Sequence, residues 1–243
     1  MACFAQAPAE LLNDRAVRAA MDAAQRNEPQ TLDLQVRLCE IPAPPFKEEV
    51  RGRELERLFA ELGLRDVRID HAGNVIGVRP GKAPHPNLVF AAHLDTVFPE
   101  GTNVKVTREG DVMKGPGIGD DCRGLAVMLA VIRALNDAHV ETAGTITFVA
   151  DVGEEGLGDL RGMKSLFFDS LKGQIDKFVS VDGTGLGITH IGVGSNRYKV
   201  TSKAPAATAT APSAWRIRFR RWAAPLLKSM PSKSRVSQRP PST

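Results

Sequence analysis

The sequence predicts an α/β fold in which a mostly parallel sheet lies between layers of helices. Segments with helical spacing of apolar residues alternate with short apolar segments along the chain, as in proteins with parallel sheets. The clearest short segment is residues 87–97, NLVFAAHLDTV, whose uninterrupted apolar run is typical of a strand buried on both faces. Ligands of such folds bind beyond the carboxyl ends of the strands, so functional residues are expected there.

The first quarter of the chain is predicted to be helical. Apolar residues recur at helical spacing over residues 9–26 and 31–40, and the prolines within residues 41–45 end the second of these helices. Residues 47–62 form an amphipathic pattern that is followed by Gly63, and glycine commonly terminates helices.

Strands and helices alternate over the rest of the chain. Besides the strand that begins at Asn87, short apolar segments predict strands at residues 67–70, 74–78, 104–107, 145–150 and 177–181. Longer periodic segments predict helices at residues 123–138 and 160–171. A further pair of strands is predicted at residues 188–193 and 197–201.

Composition and terminal sequence predict a cytoplasmic protein that does not associate with membranes. No apolar run is long enough to span a bilayer, and the N-terminal residues lack the basic start and apolar segment of a secretory signal. The cysteines Cys3, Cys39 and Cys122 are odd in number and widely spaced, which favours free thiols in a reducing compartment.

The net charge of +4 is unevenly distributed. Residues 204–243 contain eight of the 32 Lys and Arg residues and no Asp or Glu, which leaves residues 1–203 with 24 basic and 28 acidic residues. That acidic balance argues against nucleic-acid binding. The basic tail also contains Trp215 and Trp222, so a nucleic-acid-binding tail is an alternative that deletion of residues 204–243 and salt-dependent DNA binding would test.

His93 and Asp95 follow the apolar run of the strand that begins at Asn87. Because side chains alternate along a strand, these two point to one side and Leu94 points to the other. An imidazole beside a carboxylate at the end of a core strand suits a metal ligand and the partner that orients it. The alternative is a solvated strand end with two unrelated polar residues.

Three acidic clusters follow other segments of the chain. They are Asp120 and Asp121 after the glycine-rich residues 115–119, Glu154 and Glu155 after the strand at 145–150, and Asp182 after the strand at 177–181. Taken singly, an Asp before a helix is an ordinary cap, and adjacent carboxylates are an ordinary solvated loop. Together with His93 they form a nitrogen and oxygen ligand set suited to zinc or a similar divalent ion.

These four motifs resemble those of a known family. HLDTV at residues 93–97, GPGIGDD at 115–121, EEG at 154–156 and VDG at 181–183 are similar in order and spacing to motifs of the co-catalytic dizinc exopeptidases and deacylases. That family includes peptidase T, glutamate carboxypeptidase, acetylornithine deacetylase and aminoacylase. The similarity extends over about residues 32–203, is closest to the peptidase T-like members, and implies a zinc-exopeptidase-like catalytic domain that is incomplete here.

The resemblance implies two divalent metal ions and four protein ligands. His93 and Asp182 are expected to bind the first ion, Glu155 the second, and Asp120 both. The resemblance also implies a cis peptide bond between Asp120 and Asp121, because this bond is often cis in the family. Zinc is the expected metal, with cobalt and manganese as alternatives.

Two further residues are expected to be catalytic by the same resemblance. Asp95 is expected to orient His93. Glu154 is expected to be the general base, which takes a proton from the attacking water and returns it to the leaving amine. Two ions close together are expected to lower the pKa of a shared water and to polarise the amide carbonyl.

The predicted function is hydrolysis of an amide bond in small peptides, with the peptide substrate as the binding partner. An Asp at position 182, rather than a Glu, is more similar to the family's aminopeptidases and dipeptidases than to its deacylases. A deacylase of N-acyl amino acids and a non-catalytic metal-binding remnant remain as alternatives. A panel of dipeptides and acetyl-amino acids distinguishes the two enzymes.

The chain departs from the family after about Lys203. The family's second ion also takes a His near the end of a longer chain, whereas the last histidine here is His190. The family's lid or dimerisation domain begins at a turn similar to GPGGHS, whereas residues 204–209 are APAATA. One G inserted before the codon of Ala204, with third bases chosen freely, lets the tail be rewritten as a family-like sequence that begins GPGGHS. We therefore hypothesise a frameshift near Lys203, which resequencing of the DNA tests.

This hypothesis divides the chain into two parts. Residues 1–203 are expected to be the N-terminal part of a metallopeptidase catalytic domain, and residues 204–243 a disordered, out-of-frame tail in place of the lid. The chain is then expected to lack part of the second metal site, to expose a sheet edge and to be weakly active or inactive. A homodimer is expected only for the full-length form.

Overall fold

The computed structural model describes residues 8–192, and helices form most of the part before the first strand. The helices are α1 (Pro8–Leu11), α2 (Arg15–Arg26), α3 (Glu28–Cys39), α4 (Glu49–Glu61), α5 (Cys122–Asp137) and α6 (Arg161–Ser165). A short 3₁₀ helix, Gly156–Gly158, precedes α6, and a π-helical turn, Leu166–Ser170, follows it.

Five of the seven described strands form a mixed sheet. In chain order the strands are β1 (Arg65–Ile69), β2 (Val75–Arg79), β3 (Leu88–His93), β4 (Thr107–Glu109), β5 (Val112–Lys114), β6 (Ile146–Asp151) and β7 (Lys177–Ser180). The order in the sheet is β1-β2-β6-β3-β7, and β4 pairs with β5 in a separate hairpin. Because β3 is parallel to β6 and β7, and only β2 runs in the opposite direction, the predicted α/β fold with a mostly parallel sheet is confirmed.

The parallel pairing brings the carboxyl ends of three strands to one edge of the sheet. His93 at the end of β3 pairs with Asp151 at the end of β6. Just after β7, Val181 donates its backbone N–H to the carbonyl oxygen of Ala91 at 2.9 Å. The residues that follow β3, β6 and β7 therefore begin close together, whatever their separation in the sequence.

Apolar side chains cover both faces of this sheet. The larger cluster packs α3, α4 and α5 against one face, and its fully buried members include Leu38, Phe59, Leu129 and Phe148. The smaller cluster lies on the other face and joins Ile76, Val89, Ala91 and Val149 to Leu166 and Leu171. Alternate residues of β3 and β6 belong to different clusters, as the period of a strand buried on both faces requires.

Two predicted helices have different bounds in the structure. The helix predicted over residues 9–26 is interrupted at Asp14, whose carboxylate accepts hydrogen bonds from the N–H groups of Ala16 and Val17 and so caps α2. The helix predicted over residues 160–171 is α-helical only as far as Ser165, beyond which the chain continues as the π-helical turn.

Two predicted strands are wrong. Residues 104–106 have no regular structure, and the chain instead turns at Gly110, which has φ 61°, to form the β4–β5 hairpin. Residues 188–192 form no strand, and residues 197–201 lie outside the described part of the chain.

The prediction of free thiols is wrong for two of the three cysteines. Cys39, the last residue of α3, and Cys122, the first residue of α5, form a disulfide across 83 residues of sequence. Spacing along the chain does not reveal this pair, because the packing of α3 against α5 brings the two cysteines together. Cys3 lies outside the described residues.

Within residues 8–192, every helix is too short or too polar to cross a membrane. The boundary predicted at residue 203 and the tail beyond it lie outside the described part of the chain, and both remain predictions.

Candidate metal centre

His93 is a buried side chain whose two ring nitrogens both contact oxygen atoms. Its Nδ1 lies 2.9 Å from the backbone oxygen of Asp95 and 3.7 Å from the nearer carboxylate oxygen of that residue. Its Nε2 lies 2.9 Å from Oδ1 of Asp120. A carbonyl partner on Nδ1 fixes the ring and directs Nε2 towards the carboxylates that follow the other strands.

Asp95 is fully buried and binds the loop that follows β6. Its Oδ1 accepts the backbone N–H of Glu154 at 3.1 Å, and its Oδ2 accepts that of Glu155 at 2.8 Å. Burial alone would raise the pKa of Asp95, but hydrogen bonds from His93 and from these two N–H groups hold it below its ordinary value. Asp95 therefore contacts His93 and also fixes the backbone that carries both glutamates.

Asp120 and Asp121, joined by a cis peptide bond as the resemblance implied, occupy different environments. Asp121 is fully buried and caps α5, because its carboxylate accepts the N–H groups of Gly124 and His93, each at 3.0 Å. Burial raises the pKa of Asp121 to about 8. The side chain of Asp120 is 59% exposed and faces His93 instead. The ordinary capping role thus belongs to the second residue of the pair, and the first is available to a ligand.

The four predicted ligands and the predicted base, Glu154, form two groups that share His93. In one group, ligand atoms of His93, Asp120 and Asp182 all lie within 4.8 Å of one another. In the other group, ligand atoms of His93, Glu154 and Glu155 lie within the same 4.8 Å of one another. The structure therefore brings together all six residues singled out in the sequence, with Asp95 behind the two glutamates rather than among the atoms that face the cleft.

The acidic cleft has the chemistry of a divalent-cation site. Burial raises the pKa values of Glu154 and Glu155, and the neighbouring carboxylates of Asp120 and Asp95 raise them further. Carboxylates held this close repel one another unless a cation or a proton lies between them. One imidazole nitrogen and several carboxylate oxygens also match the ligand preferences of zinc, so these residues fit a bound divalent ion.

Three residues near the cleft were missed in the sequence. Asp151, at the end of β6, is buried, and this burial raises its pKa to about 7. Asn74, just before β2, is also buried; its side chain accepts the N–H of Val152 and donates to the carbonyl of Gly162. Neither Asp151 nor Asn74 could be recognised as a site residue in the sequence, because single polar residues at strand ends are common.

Arg51, the third of these residues, did have such a signal. Arg51 lies on the buried side of α4, four residues before Leu55, and is 1% exposed. Its guanidinium donates to the carbonyl oxygens of Ile41 at 2.6 Å and Leu94 at 2.7 Å, so it ties α4 to the segment between His93 and Asp95. A charged residue on the apolar face of an amphipathic helix is a sequence signal for such a structural contact.

Comparisons with known proteins identify a family and several relatives of this chain. The sequence profile of the family described as Peptidase family M20/M25/M40 matches residues 89–235, more than half of the chain. Carboxypeptidase G2 of Pseudomonas sp. (strain RS-16) is 36% identical over 111 residues, which cover 43% of this chain and 26% of that protein.

Two solved structures are similar to the described fold. Aminopeptidase PepT from Bacillus cereus is 26% identical with a TM-score of 0.56, over 65% of this chain and 44% of that one. A tripeptidase from Staphylococcus aureus is 29% identical with a TM-score of 0.54, over the same two fractions, 65% and 44%. The chain thus spans less than half the length of each of these relatives.

Proposed function

This chain belongs to peptidase family M20/M25/M40, a family of metal-dependent peptidases, and we propose that its reaction is hydrolysis of an amide bond in small peptides. The observation that carries the proposal is the meeting of one imidazole with several carboxylates at the carboxyl edge of the sheet. Because one relative is named an aminopeptidase and another a tripeptidase, we expect short peptides as substrates.

The proposed ligands are those that the resemblance implied. His93, Asp120 and Asp182 hold a first divalent ion, and Glu155 with Asp120 holds a second. Zinc is the proposed metal, with cobalt and manganese as alternatives, because all three accept nitrogen and oxygen ligands. When bound, such ions act as Lewis acids that lower the pKa of water and polarise a carbonyl group.

Glu154 is the proposed general base. Its backbone N–H is held by Asp95, so the side chain is carried at a defined place beside the cleft. Burial raises the pKa of its carboxyl group, and a base works best when its pKa approaches the working pH. Glu154 takes a proton from the attacking water, whose oxygen forms a bond to the carbonyl carbon of the amide. The C–N bond then breaks, and Glu154 returns the proton to the leaving nitrogen.

Metal content of the Asp120→Ala variant tests the proposal. Removal of this carboxylate takes away the partner of His93 and a ligand of both proposed ions, so we expect zinc affinity to fall by more than about 100-fold. Isothermal titration with zinc, after removal of metal by a chelator, measures the change. Asp111→Ala is the control, because Asp111 is an exposed acid in the nearby β4–β5 turn. Equal zinc affinity of the wild type and Asp120→Ala would contradict the proposal.

Assays with panels of substrates distinguish a peptidase from a deacylase. We expect dipeptides and tripeptides to be cleaved in preference to acetyl-amino acids, and the opposite order would favour a deacylase. For the 243-residue chain we expect weak activity or none, because a further ligand and the lid are proposed to lie in sequence lost after about Lys203. Metal binding without cleavage would match the proposed metal-binding remnant.

The remaining predictions concern the cellular setting. We propose a cytoplasmic protein with no nucleic-acid or membrane partner, and a homodimer only when the lid is present. The tail, residues 204–243, is proposed to be out of frame, and DNA that reads through residue 243 with no alternative frame downstream would refute this.

A further inference from the structure

The loop that carries Glu154 and Glu155 contacts Arg161 as well as Asp95. Gly153, one residue before Glu154, is buried and has φ 70°. A Cβ atom added to Gly153 would lie 2.1 Å from Nη1 of Arg161 and 2.8 Å from its Cγ. The arginine side chain is therefore packed directly against the loop backbone, with no space for even a methyl group between them.

Arg161 is itself fixed by the segment that precedes α4. Its Nη2 lies 2.7 Å from Oε1 of Glu48, whose side chain is only 5% exposed. The same oxygen accepts the backbone N–H of Phe46 at 3.1 Å, and the guanidinium lies over the Phe46 ring, 4.9 Å from its centroid. This ion pair is stronger than an ordinary surface pair, because loss of Arg161 would leave the buried carboxylate of Glu48 without its charged partner.

The start of α6 is attached to the same loop. Gly162 donates its N–H to the carbonyl oxygen of Val152 at 3.0 Å, and it accepts a hydrogen bond from the buried side chain of Asn74. The backbone at the start of α6 is therefore tied to Val152, the residue before Gly153. A cavity of about 640 Å³, lined by Phe46, Val152 and Arg161 among others, lies on this side of the loop and leaves room for the loop to move if the arginine is removed.

We infer that Arg161, held by Glu48 and Phe46, is a positioning residue that presses the Gly153–Glu155 backbone towards Asp95 and so sets the places of Glu154 and Glu155. The catalytic meaning of this inference rests on the proposed function. The contact between Arg161 and the loop backbone is independent of that function. Asp95 binds the two glutamate N–H groups from one side, and Arg161 limits the backbone from the other. Neither Arg161 nor Glu48 touches the metal-binding cleft.

Hydrogen exchange at two backbone amides tests the inference in the full 243-residue chain without any metal. In Arg161→Ala, we expect the amides of Glu154 and Glu155 to exchange at least about tenfold faster, the equivalent of one lost charge-assisted hydrogen bond. Amides in the centres of β3 and β6 should keep their wild-type rates. Arg79→Ala is the matched control, because Arg79 is also a half-buried arginine, and it binds the carbonyl of Val140 at the opposite edge of the sheet.

Two outcomes would overturn the inference. One is wild-type exchange at Glu154 and Glu155 in Arg161→Ala, and the other is uniformly faster exchange throughout the sheet, which a merely structural role would produce. If Arg161→Ala does not fold, the Glu48→Gln variant tests the inference instead. Glutamine keeps the shape of the glutamate side chain but lacks the charge that holds Arg161. Exchange of the same two amides should then increase at least about threefold, and unchanged rates would refute the inference.

A metal titration separates this inference from the proposed function. If the wild type binds zinc, Arg161→Ala should bind it about 10–100-fold more weakly, as for other residues that hold metal ligands in place. If the wild type binds no zinc, the proposed function fails, and the exchange rates still decide the role of Arg161. Wild-type zinc affinity in Arg161→Ala would count against the positioning role alone.

Discussion

His93 shows how much of the candidate metal centre depends on single contacts. Its backbone N–H donates to Asp121, its Nδ1 contacts the carbonyl of Asp95, and its Nε2 faces Asp120. Each partner holds a different atom of the residue, so neither the ring nor the backbone is free to turn. A ligand fixed in this way is ready to bind without the loss of side-chain freedom that binding otherwise costs.

At the scale of this residue we predict a pH dependence of stability. Burial alone lowers the pKa of His93, but the hydrogen bond to Asp95 and the charges of Asp121 and Asp151 outweigh it and raise the pKa to about 10. The unfolded chain loses this proton at about pH 6.5, so between the two values the folded state binds more protons. The stability that this proton contributes is complete below about pH 6.5 and is lost as the pH rises through the folded value.

Urea unfolding in the presence of a chelator measures the effect across this pH range. The free energy of unfolding of the metal-free wild type should decrease as the pH rises. The His93→Gln variant has no ionisable ring and should show a smaller slope. An equal slope in both proteins would mean that another group is responsible.

Helix α5 shows how one element serves both the core and the cleft. Its first residues place Asp121 over the end of β3, while its later apolar residues, including Leu125 and Leu129, pack against the sheet. The close approach at its start requires Gly124, because an added Cβ would lie 2.1 Å from Oδ1 of Asp121. That carboxylate cannot withdraw without breaking its bond to the N–H of His93.

At the scale of the element we predict opposite effects for two helix glycines. Gly124→Ala should destabilise the protein by about 1–3 kcal/mol, since overpacking outweighs the gain in helix propensity. Gly52→Ala in α4 should stabilise it by about 0.5–1 kcal/mol, because a Cβ there would meet Val75 at 3.6 Å and Leu94 at 3.7 Å, which are ordinary contacts. Urea unfolding of the two variants compares them, and changes of the same sign would contradict the prediction.

At the scale of the whole molecule, the packing of helices that lie far apart in the sequence holds the described residues 8–192 together. Helices α3, α4 and α5 share one apolar cluster on the sheet, and the disulfide between Cys39 and Cys122 joins the first of them to the last. At the other side, β7 is the outer strand of the described sheet, with Phe178 and Val179 partly exposed. An outer strand of this kind offers unpaired backbone groups to any further strand.

At the scale of the molecule we predict a response to reductant. Reduction of the disulfide should lower the free energy of unfolding by about 2–4 kcal/mol, because the bond closes a long loop in the unfolded chain. Urea unfolding with and without dithiothreitol measures this difference. The Cys39→Ala, Cys122→Ala double variant should be insensitive to reductant, and a wild type that is equally insensitive would show that the two thiols are not joined in solution. This result also bears on the predicted cytoplasmic location, since disulfides persist mainly in oxidising compartments.

The match to the family profile extends into the basic tail of the chain. It continues from residue 89 to residue 235 and therefore passes the position of the hypothesised frameshift at Lys203. The match bears on family membership, and the reading frame of the tail stays a prediction that DNA resequencing tests.

The five strands of the main sheet and the polar residues at their ends were determined by the sequence alone. The spacing of apolar residues and the polar residues that flank them are local properties of the sequence. Strands β3 and β6, with the acids that follow them, could therefore be located without any tertiary information. Even the side on which His93 and Asp95 project follows from the alternation of a strand.

Only the tertiary structure decided which of these residues meet. The contact of Nε2 of His93 with Asp120, the bond of Asp121 to the N–H of His93, the disulfide and the ion pair of Arg161 with Glu48 all join segments that are distant in the chain. Such contacts depend on strand register and on the packing of α3 and α5 against the sheet. A sequence pattern reports the period of one segment, and it carries no information on the distance between two segments until both are packed on the same core.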